Sequence, residues 1–317
     1  MWRYRLHGVF MFRVVKSDKR VKFVIFNKLK ISLKYNFISY FASIFTPPYR
    51  KSSAKRLESK KYDLIEVCRT LKMKEIFPKN ILSIEDTISY VINNKASVSR
   101  IGDGEELGGN ILGRDCHFPE LKDKLTKIMK NGSNKNCLVC VNNFNADKED
   151  LSLYWRRHFL NYWTNVVPPS VLQTLEFDNV GVYGDAYAFL FYFNGATSAE
   201  IKKRKRYIEQ IWNNRKVLFV VNRDSKIVKD NECFSNVLLK DYIYGPEYNA
   251  YEKYYEIYEQ IKNNYGTDWL IYIEMGAMAT VLAYELSVLG YQALDMGHFY
   301  TRIYHHIDKT HLDCSKT

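Results

Sequence analysis

Trp269-Leu-Ile-Tyr-Ile-Glu-Met-Gly276-Ala-Met-Ala-Thr-Val-Leu-Ala-Tyr-Glu-Leu-Ser-Val-Leu-Gly290-Tyr-Gln-Ala-Leu-Asp295 reads as a strand, a helix and a second strand. The run Trp269–Ile273 is short, aromatic and β-branched, as a buried strand requires. Gly276 and Gly290 bracket a continuous apolar helix, Ala277–Leu289, and Gln292–Asp295 returns as a strand. Two strands joined through a helix are the unit of a parallel sheet. Outward from this unit the alternation repeats. Val217-Leu-Phe-Val-Val221 is apolar without a break, as expected of a central strand covered on both faces. Ser97–Ile101, Cys137–Asn142 and Val237–Leu239 read as further strands. Helices are expected after Ser83, an N-cap with Asp86 three residues on and a stripe of Ile84, Ile88, Val91 and Ile92, and after Pro119, with Leu121, Leu125, Ile128 and Met129 on one face. Lys148–Trp163 and the Tyr-rich segment from Pro246 to Ile261 also read as helical. The expected class is α/β: a single Rossmann-like domain over residues 80–317, with a mostly parallel sheet flanked by helices. A basic, helical N-terminal extension over residues 1–79 precedes it.

The formal net charge of the 317-residue chain is +12, and its distribution decides what that means. Residues 1–60 hold 15 Lys and Arg against Asp18 and Glu58 alone, which leaves 32 basic and 33 acidic side chains in the rest. The basic character therefore belongs to an arm, and the near-neutral body argues against nucleic acid as the partner. Within the arm, Phe37, Tyr40, Phe41, Ile44 and Phe45 have the spacing of one helix face, stopped by Pro47-Pro48. An aromatic stripe beside a polybasic stretch suits an anionic membrane surface. A helix covering the protein's own core, with solvated lysines, is the plainer alternative. No apolar run approaches the ~18 residues of a membrane span, and no secretory signal is apparent. The six cysteines are scattered, and Cys137-Leu-Val-Cys140 lies inside an apolar strand, so reduced thiols and a cytoplasmic setting are expected, with the arm at the inner face of the membrane as a peripheral option.

In open α/β sheets ligands bind beyond the carboxyl ends of the strands. Polar residues gather there in three places: Arg100–Glu105, Asn222–Asp224 and Asp295–His298, with Glu274 before Gly276 as a weaker fourth. Asp103 and Glu105, two apart on a turn, are able to aim two carboxylates at one hard cation such as Mn²⁺ or Mg²⁺. Gly102 and Gly104 permit close approach of a diphosphate, and Arg100 offers it a bidentate fork. An ordinary Asp-Gly turn accounts equally for this hexapeptide taken alone. Asp295 and His298 are placed to reach a metal or an acceptor hydroxyl, or else to cap a turn. The aromatic cluster Tyr183–Phe193, with Asp185 inside it, reads as core or as a stacking surface.

Four ordered motifs narrow these choices. Arg100-Ile-Gly-Asp103-Gly-Glu105, Gly245-Pro-Glu-Tyr-Asn249-Ala-Tyr251, Gly276-Ala-Met-Ala279-Thr-Val-Leu-Ala283-Tyr and Gly290-Tyr-Gln-Ala-Leu-Asp295-Met-Gly-His298 together resemble the GT-D-fold glycosyltransferases over about residues 80–300. The resemblance implies a hexosyltransferase, glucose-type, that uses a UDP-sugar donor through Mn²⁺ or Mg²⁺ and a glycan, lipid-linked or protein acceptor in surface polysaccharide assembly. It implies Asp103 and Glu105 as metal contacts, and Arg100, Gly102, Gly104, Asn249 and Gly276 around the nucleotide diphosphate. Asp295 and His298 fall on the catalytic side. Ala277-Met278 stand where the family has Pro-Thr, and Asn222-Arg-Asp-Ser225 departs from its pattern. Two other readings use the same residues: a metal-dependent hydrolase of nucleotide or sugar phosphates, and a non-catalytic membrane-surface protein with a degenerate transferase domain.

Overall fold

The computed structural model describes residues 2–3, 12–17, 20–25, 29–34, 75–102, 118–143, 176–178, 180–190, 198–229 and 232–300. The chain divides into two units, Met1–Glu66 and Val67–Thr317.

In the first unit, β1 (Trp2–Arg3), β2 (Phe12–Ser17), β3 (Arg20–Ile25) and β4 (Leu29–Lys34) form one sheet in chain order, every pair antiparallel. The extension is thus sheet here, not helix. Its apolar and basic residues alternate with period two, which suits a strand and no helix face. The register pairs Val14 with Phe23, Phe23 with Ile31 and Val21 with Leu33. The helical stretch expected at Phe37–Phe45 lies outside the described residues, as does that at Lys148–Trp163.

The second unit is a three-layer α/β domain. Its strands are β5 (Ser97–Arg100), β6 (Cys137–Val141), β7 (Gly184–Asp185), β8 (Lys216–Asn222), β9 (Leu239–Gly245), β10 (Trp269–Glu274) and β11 (Gln292–Asp295). They form a seven-stranded sheet in the order β7-β6-β5-β11-β10-β8-β9, all pairs parallel. The helices are α1 (Ile84–Asn94), α2 (Pro119–Asn131), α3 (Ser198–Ile208), the short α4 (Lys226–Lys229), α5 (Tyr254–Asn264) and α6 (Ala277–Val288). None is long and apolar enough to cross a membrane.

Alternation along the strands builds a core on each face. Leu218 and Val220 of β8 join Ile271 and Ile273 of β10 under α2, α5 and α6. Val217, Phe219 and Val221 point the other way, with Leu270 and Tyr272, against Trp212 and the apolar stripe of α1. This two-sided burial is why the β8 run carries no polar residue between Lys216 and Asn222.

The expected caps are present: Ser83 Oγ accepts from the Asp86 amide at 3.0 Å and its hydroxyl donates to Asp86 Oδ2 at 2.7 Å. Two segments differ from their sequence reading. The strand expected at Val237–Leu239 is β9, over Leu239–Gly245, where Lys240 and Asp241 break the apolar run because an edge strand has one open side. The Tyr-rich helix begins later than Pro246: Asn249 is left-handed at φ +52°, a 3₁₀ turn covers Ala250–Lys253, and α5 follows.

Candidate active site

The strand order reverses direction between β5 and β11. From β5 the chain builds outward through β6 to β7, and from β8 onward it fills the opposite half, with β11 inserted last beside β5. Such a switch point opens a crevice at the carboxyl ends of the two strands. Their backbones share one register pair, Val98 with Leu294. Side chains bridge the rest of the seam, which explains its buried polar residues Ser97, Ser99, Thr280 and Asp295. Ser97 Oγ accepts from the Ala293 amide at 2.9 Å, and the Ser99 hydroxyl donates to the Thr280 carbonyl at 2.9 Å.

Asp295 closes the seam at the mouth. It is 1% exposed, yet both oxygens are engaged. Oδ1 accepts from the Gly297 amide at 3.1 Å, and Oδ2 accepts from the Arg100 amide at 3.4 Å. The Thr280 hydroxyl lies 2.9 Å from Asp295 Oδ2 and 3.0 Å from the Arg100 carbonyl, so one proton serves two acceptors. Burial pushes the Asp295 carboxyl above its ordinary range, and the Arg100 guanidinium opposes that shift. Arg100 and Asp295, 195 residues apart in sequence, thus meet at the mouth.

Gly297 sets the clearance for Arg100. It is left-handed at φ +55°, and a Cβ there would stand 2.6 Å from Arg100 Nη2. The guanidinium lies against bare backbone. Gly297→Ala is expected to cost about 1–3 kcal/mol through the left-handed backbone alone, and to push Arg100 out of the mouth. The check is a fall in thermal midpoint accompanied by weakened binding of nucleotide diphosphate.

On β10, next to Asp295, Glu274 ends its strand. The Tyr272 hydroxyl donates to Glu274 Oε1 at 2.7 Å, and the Tyr300 amide donates to the same atom at 3.2 Å. Oε2 takes no hydrogen bond among the described residues, and the side chain keeps part of its exposure. Burial, reinforced by the charge of Asp295, pushes the Glu274 carboxyl up to about 7 against both hydrogen bonds. After Met275, Gly276 is left-handed at φ +57° and turns the chain into α6, whose first residues are buried. The free amides of that helix start therefore open beside the mouth.

The remaining expected residues are more dispersed. Asn249 precedes the 3₁₀ turn beyond the end of β9, on the outer half of the sheet. There Arg223, after β8, lies 4.8 Å over the ring of Tyr244. His298 is exposed on the turn after Gly297. Gly102 is buried just past β5. Asp103, Gly104 and Glu105 lie outside the described residues. Asp185 ends β7, two strands from β5, where it is buried and accepts from the Tyr187 amide at 2.8 Å. Tyr183, Tyr187 and Phe189 are core. Cys137 and Cys140 are buried free thiols, and burial raises Cys137 to about 12, so neither is reactive. Thr280 was not singled out in the sequence; the one signal is a hydroxyl in the first turn of a mostly apolar helix that follows Gly276.

Among the described residues no three His, Cys, Asp or Glu side chains gather as a metal cluster. The expected cation contacts, Asp103 and Glu105, are oxygen donors of the kind a hard cation takes.

Residues 98–309 match the family model described as Glycosyltransferase GT-D fold. The chain is 27% identical over 221 residues to a probable glycosyl transferase, Gly, of Streptococcus gordonii, covering 69% of this chain and 32% of that protein. It is 26% identical over 224 residues to the glycosyltransferase GlyD of Streptococcus pneumoniae serotype 4, covering 69% of this chain and 26% of the relative. This chain therefore spans a third or less of the length of those relatives. Among solved structures, a domain described as having a distinct glycosyltransferase fold superposes with a TM-score of 0.63 at 25% identity, over 77% of this chain and 85% of that one. A second, described as a new glycosyltransferase from Streptococcus sanguinis, gives 0.62 at 26% identity, over 72% and 84%.

Proposed function

Because the chain belongs to the glycosyltransferase GT-D fold family, we propose that it moves a glucose-type hexose from a UDP-sugar to an acceptor hydroxyl, with Mn²⁺ or Mg²⁺ at the diphosphate. The observation that carries this reading is the meeting of Arg100 with Asp295 at the switch point, directly before the Asp103-Gly-Glu105 turn. Asp103 and Glu105 would hold the cation, which when bound offsets the negative charge that grows on the departing diphosphate. Arg100 pairs with phosphate oxygens, and Gly102 and Gly104 keep the loop close enough to allow it. Gly276 brings the amides of the α6 N-terminus to the same charge. Asn249 orients the nucleotide from the β9 side. Asp295 and His298 shape the acceptor side: Asp295 fixes the strand ends, and His298 faces solvent where an acceptor enters.

The acceptor fits a glycan, glycolipid or glycoprotein of surface polysaccharide assembly, and the setting fits the cytoplasmic side of a membrane. What supports that setting is the charge of residues 1–60, 15 Lys and Arg against Asp18 and Glu58 alone. Such a segment is drawn to anionic headgroups by about 1 kcal/mol per basic residue near the surface.

The test is calorimetric titration of UDP with and without Mn²⁺, on the wild type and on an Asp103→Ala/Glu105→Ala variant. Metal-dependent binding that the double variant loses is the expected result. A folded wild type that binds no UDP ends the transferase reading. Release of free sugar that added acceptors neither speed nor divert into a glycosylated product would turn it toward a hydrolase.

A further inference from the structure

We propose that Glu274 is the catalytic base of the transfer, taking the proton of the acceptor hydroxyl on its Oε2 atom. The inference rests on the transferase reading and adds the residue that handles the proton.

The geometry divides the two carboxylates of the mouth by task. Asp295 has both oxygens committed, to the Gly297 amide, the Arg100 amide and the Thr280 hydroxyl. Glu274 has both of its donors, the Tyr272 hydroxyl and the Tyr300 amide, on Oε1. One oxygen is anchored and the other is left to act. The anchor is rigid, because Tyr272 is fully buried among Trp212, Phe219 and Phe234. Its phenol is driven well above its ordinary range by burial, so it remains a donor at any working pH.

The titratable groups around Glu274 come from three sides. Tyr272 shares its strand, Asp295 stands on β11 with Arg100 beyond it, and the turn after β11 brings Tyr300. On the fourth side β8 presents apolar Val221 in register. Among the described residues no cation touches Glu274; its two hydrogen bonds favour the ionised form, burial and the charge of Asp295 oppose it, and the resulting range of about 7 is that of a base working at neutral pH. In the transfer, the acceptor O–H bond breaks and its proton passes to Oε2. The oxygen's electron pair forms the bond to the anomeric carbon. The bond from that carbon to the phosphate oxygen breaks, and its pair leaves with the nucleoside diphosphate.

The full-length protein with UDP-glucose and Mn²⁺, and water as acceptor, supplies the assay. UDP release is followed from about pH 5 to 9, spanning the ordinary Glu range and the raised one. The wild-type rate is expected to rise through a limb near 7. Glu274→Gln, whose amide oxygen still accepts from Tyr272 and Tyr300, is expected to be slower by about 10²–10⁴-fold, with the limb gone. UDP binding by calorimetry should be unchanged in that variant, and Glu274→Asp should recover part of the rate with its limb. A Gln variant within about threefold of wild type, with the limb intact, overturns the proposal and leaves Glu274 as an anchor for the Tyr300 turn. Carbon-13 carboxyl titration of the wild type needs no donor, and a Glu274 midpoint in the ordinary Glu range overturns the proposal independently. Failure of the wild type to bind UDP is a separate signature that sinks the transferase reading instead.

Discussion

Asp295→Ala is expected to lose about 3–5 kcal/mol of folding stability, because removing one member of a buried charged network strands the others. Three donors depend on this carboxylate: the Gly297 amide, the Arg100 amide and the Thr280 hydroxyl. With a methyl group in its place, the amides face a gap in the seam, and the Arg100 guanidinium loses the buried negative charge of Asp295. Asp295→Asn keeps an oxygen for one amide but turns an NH₂ group toward another donor, so a loss of about 1–2 kcal/mol is expected. Urea unfolding of both variants measures the two losses. Metal-dependent UDP binding should fall with the first, since Arg100 sits at the mouth by virtue of these bonds. An alanine variant as stable as the wild type would mean that the seam is held by backbone packing alone.

Trp212→Ala is the second large effect, expected at about 3–5 kcal/mol for a fully buried aromatic. Trp212 packs at 4.9 Å from Phe234, 5.7 Å from Phe299 and 6.2 Å from Tyr272, ring centre to ring centre. Its indole N–H donates to the Cys233 carbonyl at 3.0 Å, so truncation leaves both a cavity and a buried acceptor without its donor. The loss is not confined to the core, since Tyr272 and the turn at Phe299–Tyr300 are the two supports of Glu274. Thermal unfolding gives the stability change. A shifted pH limb for UDP release, in the fraction that remains folded, would report that Glu274 has lost its anchor. Trp212→Phe should recover most of both.

The architecture of the body was legible where burial is two-sided. Residues 217–221 of β8 and 270–273 of β10 form unbroken buried apolar runs because each is covered on both faces, and α6 is mostly apolar, so these elements are hard to misread. The elements at the sheet's edges and on its surface were not. β7 is two residues long, β9 mixes Lys240 and Asp241 into its run, and α3 buries only Ile201 and Ile208 among five consecutive cations. The first unit was misread for a related reason, since a short amphipathic stretch at helical spacing drew the reading while the apolar–polar alternation of Leu29–Lys34 pointed to a strand. The site was legible as positions. Arg100, Asp295 and Gly276 follow strands, and the sheet topology gathers strand ends. The contacts between them were not legible, because Thr280 meets Arg100 across 180 residues and Glu274 meets the Tyr300 amide across 26. No local pattern encodes such pairings.

The insertion of β11 between β5 and β10 also governs how the body assembles. The strand at the centre of the sheet is formed from almost the latest described residues of the chain. Before it docks, β7-β6-β5 and β10-β8-β9 are half-sheets, each with a bare inner edge. Contacts of such long sequence separation impose a large loop-closure cost and slow the final step. The same step completes the mouth of the candidate site, since Asp295 ends the late strand. Folding and completion of that mouth are therefore one event, and a half-assembled chain would carry aggregation-prone edges.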